Sequence, residues 1–153
     1  MQATTSLTFP SLAWFEALRE RMNTSPAKYR DLGYADSRAI FRVLPDNPGG
    51  MPRAFVLVFD VYECTEVMEL RVGEAFDADW ELEAPLTAWR EMLENIKAHS
   101  GADSQHTLNR LSLLQHPFKI TGADQTRVDL FFRQQLTFQE FINDSQLIAT
   151  RFS

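Results

Sequence analysis

Few side chains in this chain of 153 residues have a type and spacing that could do chemistry. Asp60 interrupts an apolar run, residues 54–62, near its end and on the strand face of Val56 and Val58. A carboxylate buried there would have a raised pKa and could serve as a general base. Near a strand end the plainer reading is a wet carboxylate, or one paired across the sheet with Arg42 as a candidate partner. His99, His106 and His116 are spaced seven and ten apart, so none makes the i, i+4 pair of a helical zinc site. Asp79, Glu81 and Glu83 alternate on one strand face and suit a hard cation chemically. A bare strand gives no loop to wrap the ion, so a solvated face is expected and no metal site is assigned. Cys64, the single cysteine, excludes an intrachain disulfide, fits a reducing compartment, and reads as a buried free thiol. No nucleophile elbow, phosphate-binding glycine loop or dinucleotide fingerprint occurs, so no catalytic residue and no cofactor is assigned.

What stands out is apolar: twelve phenylalanines, three tryptophans and five methionines. Such residues line ligand cavities, and cores need the same ones. The phenylalanines concentrate in residues 118–141. Asp124 is placed to cap a helix with Val128, Phe131 and Phe132 at i, i+3 and i+4. Thr137 and Glu140 stand at capping-box spacing, which predicts a break near Leu136 and a second helix carrying Phe138, Phe141 and Ile142. If these rings wall a cavity, Phe131, Phe132, Phe138 and Phe141 form its wall or lid, with Met68, Trp89 and Met92 behind. Arg127 or Arg133 would meet a polar head, unless both simply lie on a solvated helix face.

Elements to position these groups follow from the periodicity. Residues 1–8 read as a loose terminus. Ser11 caps a first helix with Leu12, Phe15, Leu18 and Met22 inward. Ser25-Pro26 opens a short second helix that Gly33 stops. Strands are expected over 39–44, 54–62, 65–72 and 79–84, with a turn-rich loop over 45–52. Pro85 starts a helix bearing Leu86, Trp89, Leu93 and Ile96. Residues 104–114 predict a shorter helix, and 117–121 a strand.

The length predicts one domain, 1–153. The net charge is −6, and residues 60–95 carry eleven acids against Arg71 and Arg90. This field repels a phosphate backbone, so nucleic acid is not an expected partner. Charges interrupt the first thirty residues, so neither a signal peptide nor a membrane span is expected, and a soluble, cytoplasmic protein is.

The element order, the acidic strand and tryptophan-bearing helix DADWELEAPLTAWREML, and then PFKITGADQTRVDLFFRQ, together resemble the type-2 sterol carrier protein (sterol-binding) domain. Phe118, Lys119, Ile120, Gly122 and Asp124 follow the family's strand-turn pattern, with His116-Pro117 where its opening glycine would be. The resemblance spans residues 9–136 and leaves 137–153 as a C-terminal extension. It implies an α+β fold, a five-stranded, mainly antiparallel sheet covered by helices over an apolar tunnel. It also implies binding of sterols, fatty acids or acyl-CoA esters without chemistry of the domain's own. The acidic middle favours an uncharged lipid or fatty acid. Two rivals stand beside this carrier reading: an enzyme on a hydrophobic substrate using Asp60 or a histidine, and an interaction module with an exposed C-terminal phenylalanine patch.

Overall fold

The computed structural model describes residues 5–113 and 115–152. After a short strand β1 (Leu7–Phe9), helices α1 (Leu12–Asn23) and α2 (Pro26–Leu32) lead into β2 (Ala35–Leu44), β3 (Arg53–Val61) and β4 (Glu63–Leu70). Strand β5 (Trp80–Pro85) runs into α3 (Leu86–His99), followed by the single turn α4 (Leu108–Leu111) and β6 (Lys119–Thr121). The chain ends with α5 (Gln125–Arg133), α6 (Gln135–Asn143), a 3₁₀ turn (Asp144–Leu147) and β7 (Thr150–Phe152).

The main sheet has the order β4-β3-β2-β5-β6 and is antiparallel except between β2 and β5. Its long central strands follow from the alternating pattern of β2 and the continuous apolar run of β3, whose Phe55, Val56 and Leu57 are all fully buried. One sheet face carries Phe41, Phe55, Leu57, Phe59, Trp80 and Leu82 into a core closed by α1, α3, α5 and α6. The other face holds a smaller cluster of Ile40, Ala54, Val56 and Leu70, partly roofed by Phe76 from the β4–β5 loop. Beside it Arg42 bridges Glu81 at 2.7 Å and approaches Glu83 at 3.9 Å, so these acids are paired as well as wet.

Local signals set several boundaries. The Ser11 side chain accepts from the Trp14 amide and starts α1. Its inward face is Trp14, Phe15, Leu18 and Met22, whereas Leu12, expected inside, is 39% exposed. Pro26 opens α2 as expected. Three expectations are corrected. Residues 7 and 8, assigned to a loose terminus, belong to β1, which pairs in parallel with β7, Leu7 opposite Thr150 and Phe9 opposite Phe152; residues 1–4 of that terminus lie outside the described set. The helix expected over 104–114 is only the four residues of α4, and its Leu114 lies outside the described residues. Thr137 is not a helix cap: α6 begins two residues earlier, after Gln134.

Candidate ligand site between sheet and helices

The α5–α6 corner is built by tight local chemistry and then pinned by long-range contacts. A Cβ on Gly122 would lie 2.6 Å from Val128 Cγ2 and 2.9 Å from the Asp79 carbonyl oxygen. Only glycine therefore lets the β6–α5 turn lie this close to β5. Asp124 Oδ1 accepts from the Thr126 amide at 2.8 Å and caps α5. Arg127 then donates to Asp79 and Asp77, each at 2.8 Å, fastening α5 to the entry of β5. The pair with Arg127 holds the Asp77 carboxyl below its usual range. Gln134 stands between the two helices, and its Oε1 accepts from the Asp36 amide and the Ser37 hydroxyl, both at 3.1 Å. Thr137 Oγ1 donates to the Gly33 carbonyl at 3.3 Å.

Beneath this corner the aromatic rings touch one another. Trp80 lies 4.7 Å from Phe138 and 5.0 Å from Phe131, centroid to centroid. Phe131 and Phe138 stack at 5.9 Å, nearly parallel at 6°. Phe59 meets Phe138 and Phe141, each at 5.1 Å and steeply inclined. Edge and offset geometries of this kind are favourable beyond the area they bury. Within this apolar packing one polar atom is left over: Trp80 Nε1 is buried and has no hydrogen-bond partner among the described residues. The other two tryptophans are satisfied, Trp14 donating to Thr150 Oγ1 at 3.0 Å and Trp89 to the Arg42 carbonyl at 3.2 Å. A buried donor without an acceptor is rare in folded proteins.

A groove of about 270 Å³ opens at the same corner, lined among others by Leu32, Leu130, Arg133 and Thr137. Its rim is apolar, with Tyr34 63% and Leu136 65% exposed. Arg133 faces this groove, whereas Arg127 is committed to its two aspartates.

The expected wall residues fall in three places. Phe131, Phe138, Phe141, Trp89 and Met92 are fully buried in the one main core. Phe132 is 41% exposed, with its ring edge-on to Phe131 at 5.1 Å. Met68 is corrected, because it packs with the cluster on the opposite sheet face and the sheet separates it from the rings. The exposed C-terminal phenylalanine patch is overturned for Phe138 and Phe141, which have no exposed surface. Sequence reasoning missed Phe59, which links the two α6 rings, and the leftover donor of Trp80. The alternation around Glu81 already turned Trp80 inward, but no local signal marks an unpaired indole.

The candidate catalytic groups are dispersed. Asp60 is exposed, and its cross-strand neighbours are Asp36 and Glu63 rather than Arg42. His99 Nδ1 lies 2.9 Å from the Asn95 carbonyl, and His106 Nδ1 lies 2.7 Å from Asp103. The Cys64 thiol is buried and its pKa is pushed up to about 12, chiefly by that burial, so it is no nucleophile at neutral pH. Asp144 is a buried carboxylate, 4% exposed, but it accepts from Lys28 Nζ at 2.7 Å and Tyr29 Oη at 2.8 Å. Burial and the adjacent carboxylate push the Tyr29 hydroxyl well above its ordinary range. For Lys28 burial is the largest single influence and works downward, but the hydrogen bonds and charges of Asp144 and Glu140 together outweigh it and raise the ammonium. This trio clamps α2 to the 3₁₀ turn. Among the described residues no group of three His, Cys, Asp or Glu side chains could hold a metal ion, and no helix is long and apolar enough to cross a membrane.

No protein-family model matches the sequence, and no curated protein matches it significantly. Solved structures do match. A crystal structure of sterol carrier protein 2 superposes with a TM-score of 0.63 at 22% identity, covering 90% of this chain and 96% of its own. The solution structure of a conserved hypothetical protein from Thermus thermophilus, suggested to be a sterol carrier protein, gives 0.61 at 20% identity, covering 94% and 95%. The strand order, the helical cover and these superpositions agree, and the chain has the sterol carrier protein 2 fold.

Proposed function

We propose that the protein binds an apolar small molecule, such as a fatty acid, a sterol-like molecule or another lipid, between the sheet and the α5–α6 corner, and serves as its carrier. The observation that carries this reading is the unpartnered Trp80 Nε1–H inside a cluster of rings. An indole N–H is a donor only, so it suits a ligand oxygen that accepts. A largely apolar lining with a single oriented polar group is the usual composition of a small-molecule site.

The rings are in contact, so a ligand enters by displacing them. The ties of Gln134, Thr137 and Arg127 are the polar fastenings that yield when α5 and α6 move away from the sheet. Burial of the ligand drives binding, at about 25 cal/mol per Å² of apolar surface removed from water. Phe131, Phe138 and Phe141 form the wall with Trp80 and Phe59, Trp89 and Met92 lie deeper, and Phe132 sits at the rim. Arg133 meets a polar head at the mouth. No catalytic step is assigned, since Asp60 is exposed and Cys64 is held as a thiol. The cytoplasm, where a free cysteine persists, is the compartment in this reading.

The test is native mass spectrometry of the purified protein, with organic extraction, followed by titration with a fluorescent fatty acid. A near-stoichiometric co-purifying lipid, or uptake of the probe that Trp80→Phe weakens, is expected. A clean protein that also refuses the probe would sink the carrier reading.

A further inference from the structure

A second groove, of about 420 Å³, lies between α3 and the C-terminal strand and shares no lining residue with the corner groove. This volume is within the usual range for small-molecule sites. In a protein of net charge −6 its lining reverses the sign, with Arg90, Lys97 and Arg151 against Glu94 alone. Two of the cations are already engaged. Arg90 Nε binds Glu94 at 2.7 Å, and Arg151 donates to Thr8 Oγ1 at 2.9 Å and to the Ser6 carbonyl at 2.8 Å. Lys97, in the last turn of α3, has no ion-pair partner among the described residues.

A second, independent observation points into the same groove. Ser145 is only 5% exposed and lines it, yet its Oγ has no hydrogen-bond partner among the described residues. The remaining wall includes Leu93 and the ring of Phe152, against which the Arg90 guanidinium lies at 5.3 Å. One uncommitted cation, one uncommitted hydroxyl and an apolar wall match a monoanion with a hydrocarbon body.

The geometry points to a binding site for the carboxylate of a small aliphatic or aromatic acid. Lys97 supplies the charge, Ser145 Oγ–H donates to a carboxylate oxygen, and Leu93 and Phe152 take the apolar part. This site stands independently of the sheet–helix site proposed above.

The experiment is a ¹⁵N NMR titration of the full chain with sodium octanoate, octanol and inorganic phosphate. Octanoate is expected to shift the amides of residues 93–97 and 145–152. Lys97→Gln and Ser145→Ala should each weaken it by roughly tenfold, as loss of a charge-assisted hydrogen bond does. Ser145→Ala removes a hydroxyl that bonds to nothing described, so the variant keeps its fold. Octanol and phosphate are expected to bind at least roughly tenfold more weakly than octanoate, since each lacks one half of the recognised chemistry. Equal binding by octanol or by phosphate overturns the proposal, as does indifference to either substitution. Shifts confined to the Trp80 indole and the α5–α6 amides overturn it too, while supporting the sheet–helix site. A response at 93–97 and 145–152 without one at Trp80 does the reverse.

Discussion

Phe138→Ala tests the ring cluster most directly. The side chain has no exposed surface and meets Trp80 at 4.7 Å, Phe59 at 5.1 Å and Phe131 at 5.9 Å. Losing its burial alone costs about 1.5–3 kcal/mol. The hole left among rings that cannot fully collapse, and the lost ring pairs, bring the total to about 3–5 kcal/mol. For a chain of this length that lowers the melting temperature by roughly 10 °C. Phe132→Ala is the matched control: with its ring 41% exposed and edge-on to Phe131, it should cost under about 1 kcal/mol. Urea and thermal unfolding of both variants measure the difference. The hole also makes the carrier reading quantitative, because decanoate present at 100 times its Kd should return about 2.7 kcal/mol to Phe138→Ala. Equal losses in the two variants would refute the packing argument. A full loss that decanoate does nothing to relieve would refute the claim that a ligand can occupy the space.

Gly122→Ala should destabilise by about 1–3 kcal/mol, since the added carbon meets the Asp79 carbonyl and Val128; calorimetry showing no loss would mean the turn is looser than its distances indicate. Asp144→Ala strands the buried Tyr29 hydroxyl and should cost about 2–3 kcal/mol, with part of it recovered in the double variant with Tyr29→Phe. Lys28 is 37% exposed and adds little to that figure. The hydrogen bond to Asp103 raises the His106 pKa above 6.5, so the protonated ring stabilises the fold fully below that value. The contribution fades as pH climbs through the raised folded-state value, so the urea midpoints of wild type and His106→Gln should converge as pH rises above 6.5. A gap that widens with pH would contradict the assignment.

Local chemistry was legible in the sequence, and long-range chemistry was not. Ser11, Pro26, Asp124 and the alternation of Trp80 with Glu81 each act within a few residues, and each placed its element correctly. The order of those elements, with the strand and turn at Phe118 to Gly122, was enough to suggest the sterol carrier protein 2 fold. The break between α5 and α6 was misplaced because Gln134 is held by Asp36 and Ser37, about a hundred residues away. Phe132 lies next to a buried Phe131, but α5 turns Val128 and Phe131 inward, with Leu130 half-buried beside them, and leaves Phe132 outside. Met68 and Trp89 look alike as apolar residues on amphipathic elements; which sheet face each serves is set by register and by the Phe76 loop. The idle donor of Trp80 is a property of its assembled neighbours and is written nowhere in the local sequence.

The parallel pair β1–β7 has a consequence for synthesis of the chain. Thr8 bonds to Arg151 across 143 residues, and the indole of Trp14 to Thr150 across 136. At roughly 5–20 residues per second, the first strand waits on the order of ten seconds for its partner to be made. Phe9 and Trp14, fully buried in the finished core, face that interval without their closing strand. The nascent chain thus carries its aromatic wall open at one end, and the last residues of the fold to emerge shut it.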